Sequence, residues 1–305
     1  MSLSLGVKSD PIEYRYSFPW LFDLMAEAGV DYLQLGTFTE LYSLAPEWFQ
    51  RLAEVAEKRG IKIKSFFSSH REMGGWMTGD PDLEAVAVAN FRHLVEVAAA
   101  AGADYAGCNL GRAYADRPEE KAAGFSRALS HLEELSHFAA EKGLKALTIE
   151  PMSCLAEPPT LPEECQAVAE RTSLYHTSHP EAVPIYFCGD ISHGYANAAG
   201  KIVHDNWELF TLQIPRMCEF HFKNTDAIFN STFGFSPSER AKGVVELGRL
   251  SRLLASKTGN FPVEAVVGYL EIGGPKHGRD YSDPGLGTAL RESLSALQSG
   301  IAFSD

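Results

Sequence analysis

Positive charge is scarce in this sequence. Lysine and arginine number 27 against 40 aspartates and glutamates, a formal net charge of -13 at pH 7. A surface that acidic repels phosphate backbones and anionic headgroups, so neither a nucleic-acid nor a membrane partner is expected. Cysteine is sparse as well: Cys108, Cys154, Cys165, Cys188 and Cys218 form no close pair. An odd, scattered set makes neither a disulfide framework nor a zinc knuckle and predicts reduced thiols and a cytoplasmic protein. No stretch reaches the ~18 consecutive apolar residues that a bilayer span requires. The start, MSLSLGVKSD, lacks the basic region and long apolar stretch of a secretory signal. Linkers, repeats and low-complexity tracts are missing too, so one domain over residues 1–305 is expected.

What the sequence does contain is alternation. Short β-rich runs recur, each followed by a longer segment of helical periodicity. The runs are LSLGV from Leu3, YLQLGTF from Tyr32 to Phe38, IKIKSFFSS from Ile61, DYAGCNL from Asp104, KALTIEP from Lys145, VPIYFCGD ending at Asp190, CEFHFKN from Cys218, and PVEAVVGYLEI from Pro262. Helices are expected in between, among them one from Pro46 to Gly60, one around Asn206 to Met217 and one over VVELGRLSRLLASKTG. Eight strand–helix units in a chain of this length predict an α/β fold of the (β/α)8 TIM-barrel type. The rival, a doubly wound open sheet, would carry a glycine-rich phosphate turn after its first strand, and GVKSDP has none.

In such a barrel the C-terminal ends of the strands converge on one mouth, where chemistry gathers. Four consecutive strands end in a metal-type side chain: Glu150 in LTIEPM, Asp190 in FCGDISHG, His221 in EFHFKN and Glu271 in YLEIGG. Three carboxylates at apolar strand ends are costly to bury unless a cation neutralises them. A set of three oxygens and one nitrogen suits Mn2+, Mg2+ or Co2+ better than a closed zinc site, with Zn2+ still open. One divalent ion, Mn2+ first, is therefore the expected cofactor.

Those four motifs, in that order and spacing, resemble the xylose-isomerase-like TIM-barrel superfamily, in particular its branch of sugar and sugar-phosphate isomerases and epimerases similar to D-tagatose 3-epimerase. The resemblance implies that Glu150, Asp190, His221 and Glu271 bind one metal and that Glu150 and Glu271 exchange protons with substrate. It implies that His193 contacts a substrate oxygen and that Glu157 is a substrate-contacting acid. A homodimer or homotetramer acting on a carbohydrate is likewise implied.

Two glutamates beside a metal-held hydroxyketone make a proton-transfer site: one removes the proton α to the carbonyl and the other returns it. Return to the same carbon from the opposite face epimerises it. Return to the former carbonyl carbon isomerises the sugar. Further substrate contacts are expected from His70 in SSHREMGGWM, and from Lys223, which points to the same face of its strand as His221. Arg279, with Arg112 and Lys276, is expected at the same mouth, where a phosphate or carboxylate would be gripped. Trp76 beside paired glycines reads either as a mobile aromatic flap or as a packed loop anchor.

Two other readings share the barrel. A lyase, dehydratase or decarboxylase, would reuse the same metal–enolate site on a sugar-derived keto compound. A DNA-repair enzyme of the endonuclease IV type would need more histidines, and neither CNLG nor HFKNTDAIFNS supplies them. Xylose isomerase proper has a lysine soon after its strand-five glutamate, where this chain has Met152.

Overall fold

The structure, a computed structural model, describes residues 1–36 and 43–304. Eight parallel strands are present: β1 (Ser2–Lys8), β2 (Tyr32–Leu35), β3 (Lys62–Ser68), β4 (Tyr105–Cys108), β5 (Ala146–Ile149), β6 (Ile185–Asp190), β7 (Met217–Phe222) and β8 (Ala265–Leu270). Helices separate them: α1 (Phe18–Glu27), α2 (Pro46–Glu57), α3 (Pro81–Ala100), α4 (Lys121–Glu141), α5 (Pro162–Ser178), α6 (Asn206–Gln213), α7 (Leu247–Ser256) and α8 (Leu286–Gly300). The strand order is that of a closed barrel, a (β/α)8 TIM barrel. Among the described residues no helix is long and apolar enough to cross a membrane.

The chain divides into two compact units, residues 1–35, 54–62 and 189–305 in one, 36–53 and 63–188 in the other. In the first unit, β1 pairs on one side with β2 and on the other with β8, which pairs in turn with β7. Val7 lies opposite Leu270, Leu270 opposite Phe222, and Lys8 opposite Gln34. One step further along the ladder, Glu271 falls between Lys8 and Lys223. Residues at one level of adjacent parallel strands project to the same side, so the register alone sets Gln34, Lys8, Glu271 and Lys223 in a row. Two residues down, on the same side, lie Gly6, Tyr269 and His221. A Cβ on Gly6 would lie 2.5 Å from the Tyr269 ring, so only glycine admits that side chain. In the second unit the same logic puts Asn109, which follows Cys108, beside Glu150, which follows Ile149.

Local sequence explains the helix boundaries. Asp80 and Asp205 accept backbone N–H groups of the first turns of α3 and α6, and Pro81 occupies the position where no donor is needed. Along α7 the buried residues are Leu247, Leu250 and Leu254, a helical stripe facing inward.

Some boundaries differ from those expected. The helix expected up to Met217 stops at Gln213, and a short 3-10 turn at Ile214–Arg216 carries Pro215 before β7 begins at Met217. Helix α7 begins at Leu247 rather than Val244, because Val244 and Val245 donate their N–H groups to Thr225 O and Asn224 Oδ1. The expected end of the second strand, Thr37 and Phe38, lies outside the described residues. A two-stranded ribbon, Tyr195–Ala196 with Ile202–His204, follows β6 and had no sequence signal. Trp76 is buried, its ring edge-on to Phe91 at 5.2 Å and to His131 at 6.2 Å. Of the two readings of that residue, the packed anchor is the one observed; a buried ring held by the core residue Phe91 and by half-buried His131 is no mobile flap.

Candidate metal centre and active site

Asp190 ends β6 fully buried. Its Oδ1 accepts the N–H of Ser192 at 2.7 Å, which fixes the plane of the carboxylate. Its Oδ2 is buried and faces three positively charged or protonatable groups: Lys223 Nζ at 2.5 Å, His193 Nε2 at 3.4 Å and His221 Nδ1 at 3.9 Å. His221 also approaches Glu271 Oε2 through Nδ1 at 3.0 Å. The opposite ring nitrogen, Nε2, stands 2.7 Å from Gln34 Oε1. A carboxamide oxygen accepts only, so Nε2 donates to Gln34 while Nδ1 faces the two carboxylates.

Glu271 completes the row set by the register. Oε2 receives Lys8 Nζ at 3.3 Å and Oε1 receives Lys223 Nζ at 3.3 Å. Lys8 also pairs with Asp10 at 3.0 Å, and Lys223 lies 3.2 Å from His193 Nε2. Burial pushes the Glu271 carboxyl up, but Lys223, Lys8, His221 and His193 outweigh it and hold the group well below the usual carboxylate range. Asp190 is lowered in the same way, burial again opposing and His193 and Lys223 prevailing. Both acids are therefore anions beside buried lysine ammonium groups.

In the second unit Glu150 follows β5, 5% exposed, its N–H donated to Cys108 O. Burial, aided by the Glu150 charge, pushes the Cys108 thiol far up and leaves it a neutral core group. Asn109 accepts the backbone N–H of His70 at 2.6 Å and faces His70 Nδ1 at 2.8 Å, so the imidazole presents Nε2 outward. Glu157, buried, stands 2.8 Å from Arg112 Nη1, 3.6 Å from Arg71 Nη2 and 3.8 Å from His70 Nε2. Arg279 lies exposed in the loop after β8, its guanidinium donating to Gly278 O and its backbone N–H to Asp283.

In the first unit Asp190, His221 and Glu271 are carboxylates and an imidazole of the kind that could hold a metal ion. The donors fit such an ion: hard carboxylate oxygens, one of them the fully buried Asp190, and an imidazole whose ring is held by Gln34. Lys8, Gln34 and Asn109 escaped the sequence reading. Each looks ordinary in its strand, and only the register shows which acid or histidine it adjoins.

A family model described as xylose isomerase-like TIM barrel matches residues 22–270. No curated protein matches the chain in sequence. Among solved structures, a candidate xylose isomerase of Rhodospirillum rubrum superposes with a TM-score of 0.77 at 18% identity, covering 98% of this chain and 100% of its own. A D-psicose 3-epimerase of Clostridium cellulolyticum, solved with D-tagatose, gives 0.71 at 13% identity over 99% of both chains. The 3-DHS dehydratase candidate AsbF of Bacillus anthracis gives 0.66 at 13% identity, covering 97% of this chain and 98% of that one.

Proposed function

From the premise that the chain belongs to the family of xylose isomerase-like TIM barrels, we propose that it is a divalent-metal-dependent isomerase or epimerase of a ketose or ketose phosphate. The observation that carries this reading is the His221 imidazole, aligned by Gln34 and facing the anions Asp190 and Glu271. With Glu150 these residues would hold one ion, Mn2+ being the first expectation. Such an ion, when bound, polarises a carbonyl oxygen and favours loss of the adjacent proton.

The protein's own part is proton transfer. One of Glu150 and Glu271 takes the proton from the carbon next to the carbonyl, giving an enediolate, and the other delivers a proton. His193 reaches a substrate oxygen from the segment after Asp190. Lys223, 3.2 Å from His193, keeps that imidazole in place as well as balancing the acids. His70, Glu157 and Arg112 make a second wall for substrate hydroxyls, and Arg279 is a more distant contact from its exposed loop. The relatives that are ketose 3-epimerases support this class of reaction.

A lyase is the second reading. The observation that favours it is the His193–Lys223 pair, because a hydroxyl leaves as water only when protonated and the Lys223 ammonium is a proton donor next to Glu271. A dehydratase candidate among the similar structures supports it.

Mn2+-loaded protein incubated in D2O with ketoses, ketose phosphates and keto-acids, followed by NMR, separates the two. Deuterium gained in a product of unchanged formula is expected, and loss of water from the substrate would favour the lyase. Glu150→Gln and Glu271→Gln are each expected to lower turnover by about 10²–10⁴-fold, the usual weight of a general acid or base. Intact turnover in both would end the two-glutamate mechanism.

A further inference from the structure

Beside Glu271 the first unit holds a cavity of about 470 Å3 whose wall includes Asp10, Glu13, Arg15, Thr232 and His277. Part of that wall is unsatisfied. The Arg15 side chain, 8% exposed, pairs through Nε with Asp283 Oδ1 at 3.6 Å, while its Nη1 is buried with no hydrogen-bond partner. Asp10 turns one oxygen, Oδ2, to Lys8 at 3.0 Å; the other, Oδ1, is buried and without a hydrogen-bond partner too. A buried donor or acceptor without a partner is destabilising, so proteins rarely keep one without a use for it. Here one of each lines a single cavity that opens on a proposed catalytic carboxylate.

We propose that this cavity receives the uncharged, hydroxyl-bearing end of the substrate, with Arg15 and Asp10 as its specificity-determining contacts. A hydroxyl donates and accepts at once, so one or two sugar hydroxyls satisfy both orphaned atoms: an O–H donates to Asp10 Oδ1 while an oxygen lone pair accepts from Arg15 Nη1. A phosphate dianion or a carboxylate only accepts. It would leave Asp10 Oδ1 unsatisfied and find no spare cation, with the Arg15 charge engaged by Asp283 and that of Lys8 by Asp10 and Glu271, while Glu13 adds negative charge to the same wall. The substrate class is thus a neutral ketose or similar polyhydroxy ketone, not its terminal phosphate ester. This narrows the proposed function and rests on its reading of Glu271 as a proton-transfer group.

The test uses the full-length, Mn2+-loaded protein with D-fructose, D-tagatose, D-psicose and L-ribulose, each beside its terminal phosphate ester. KM and kcat come from deuterium exchange in D2O. The wild-type protein is expected to favour at least one neutral ketose over its ester. Arg15→Met and Asp10→Ala are each expected to raise KM for that ketose about tenfold or more with kcat changed far less, and Asp10→Ala to shift preference toward the ester. Arg15 is buried, so its variant is checked by thermal melting. Asp10, whose side chain is 36% exposed, keeps the test decisive if the Arg15 variant does not fold. Exchange that favours the phosphate esters, or a KM untouched by Asp10→Ala, overturns this assignment and leaves the enolisation reading standing. Absence of exchange with every probe removes that reading and this one with it.

Discussion

Lys223 Nζ stands 2.5 Å from Asp190 Oδ2, and both side chains are buried. The same ammonium reaches Glu271 at 3.3 Å, so one lysine compensates two anions that a divalent ion would also neutralise. Removing one partner of a buried ion pair costs about 3–5 kcal/mol because the other is left uncompensated. Lys223→Met is therefore expected to lower the melting temperature sharply in EDTA. A divalent ion supplies the missing charge, so added Mn2+ should restore the variant more than it stabilises the wild type. An equal deficit with and without Mn2+ would show that the lysine contributes packing rather than charge.

Gln34 acts on the same centre through His221. Partners that orient a metal-binding imidazole typically matter 10–100-fold in affinity. Gln34→Leu preserves bulk and removes the acceptor at 2.7 Å. Its Mn2+ affinity, read by competition with a chromophoric chelator, is expected to fall by about that factor while the fold persists. Unchanged affinity would mean that packing alone holds the ring.

Asp226 offers a pH test away from the proposed metal ligands. Burial pushes its carboxyl up, but the Ser231 hydroxyl at 2.5 Å and the backbone N–H groups of Asn230 and Ile228 prevail and lower it below the ordinary aspartate value. A carboxyl lowered in the folded state contributes stability above its unfolded pKa, about 3.9, and loses it as pH falls through the folded value. Asp226→Asn should thus cost about 1 kcal/mol at pH 7. The gap to wild type, from urea unfolding at a series of pH values, should close in acid. A gap that is constant with pH would deny the carboxylate this role.

Gly194 and Phe229 are coupled by space. A Cβ on Gly194 would lie 2.4, 2.5 and 2.7 Å from three Phe229 ring atoms, beside His193. Gly194→Ala is expected to cost about 1–3 kcal/mol, the range for overpacking. Phe229→Ala clears the space that the new methyl group needs. The double variant should therefore be less destabilised than the sum of the singles, a coupling that a denaturation cycle measures directly.

Much of the barrel was legible because alternation of strand and helix periods is a property of consecutive residues. Asp190, His221 and Glu271 were legible for a related reason: a carboxylate or imidazole inside or ending an apolar strand is conspicuous in its own strand. Lys8 and Gln34 were not. A lysine at a strand end reads as solvated charge, and a glutamine in YLQL as the polar face of a strand; their meaning arises only from the pairing of β1 with β2 and β8. Loop side chains carry no period at all. Arg279 could be placed near the mouth from its position after β8, but not its exposure or its bond to Gly278 O. Trp76 illustrates the converse, since adjacent glycines favour a pliable loop while the indole buries itself against Phe91.

The row formed by Gln34, Lys8, Glu271 and Lys223 hangs from neighbouring hydrogen-bonded strands, whose separation is fixed near 4.8 Å by backbone geometry. Loops beyond those strands are free of that ruler. Grafting, trimming or lengthening them would retune what enters the mouth while the ionic rack beneath keeps its pitch, which makes this chain a scaffold in which selectivity and charge balance are separately adjustable.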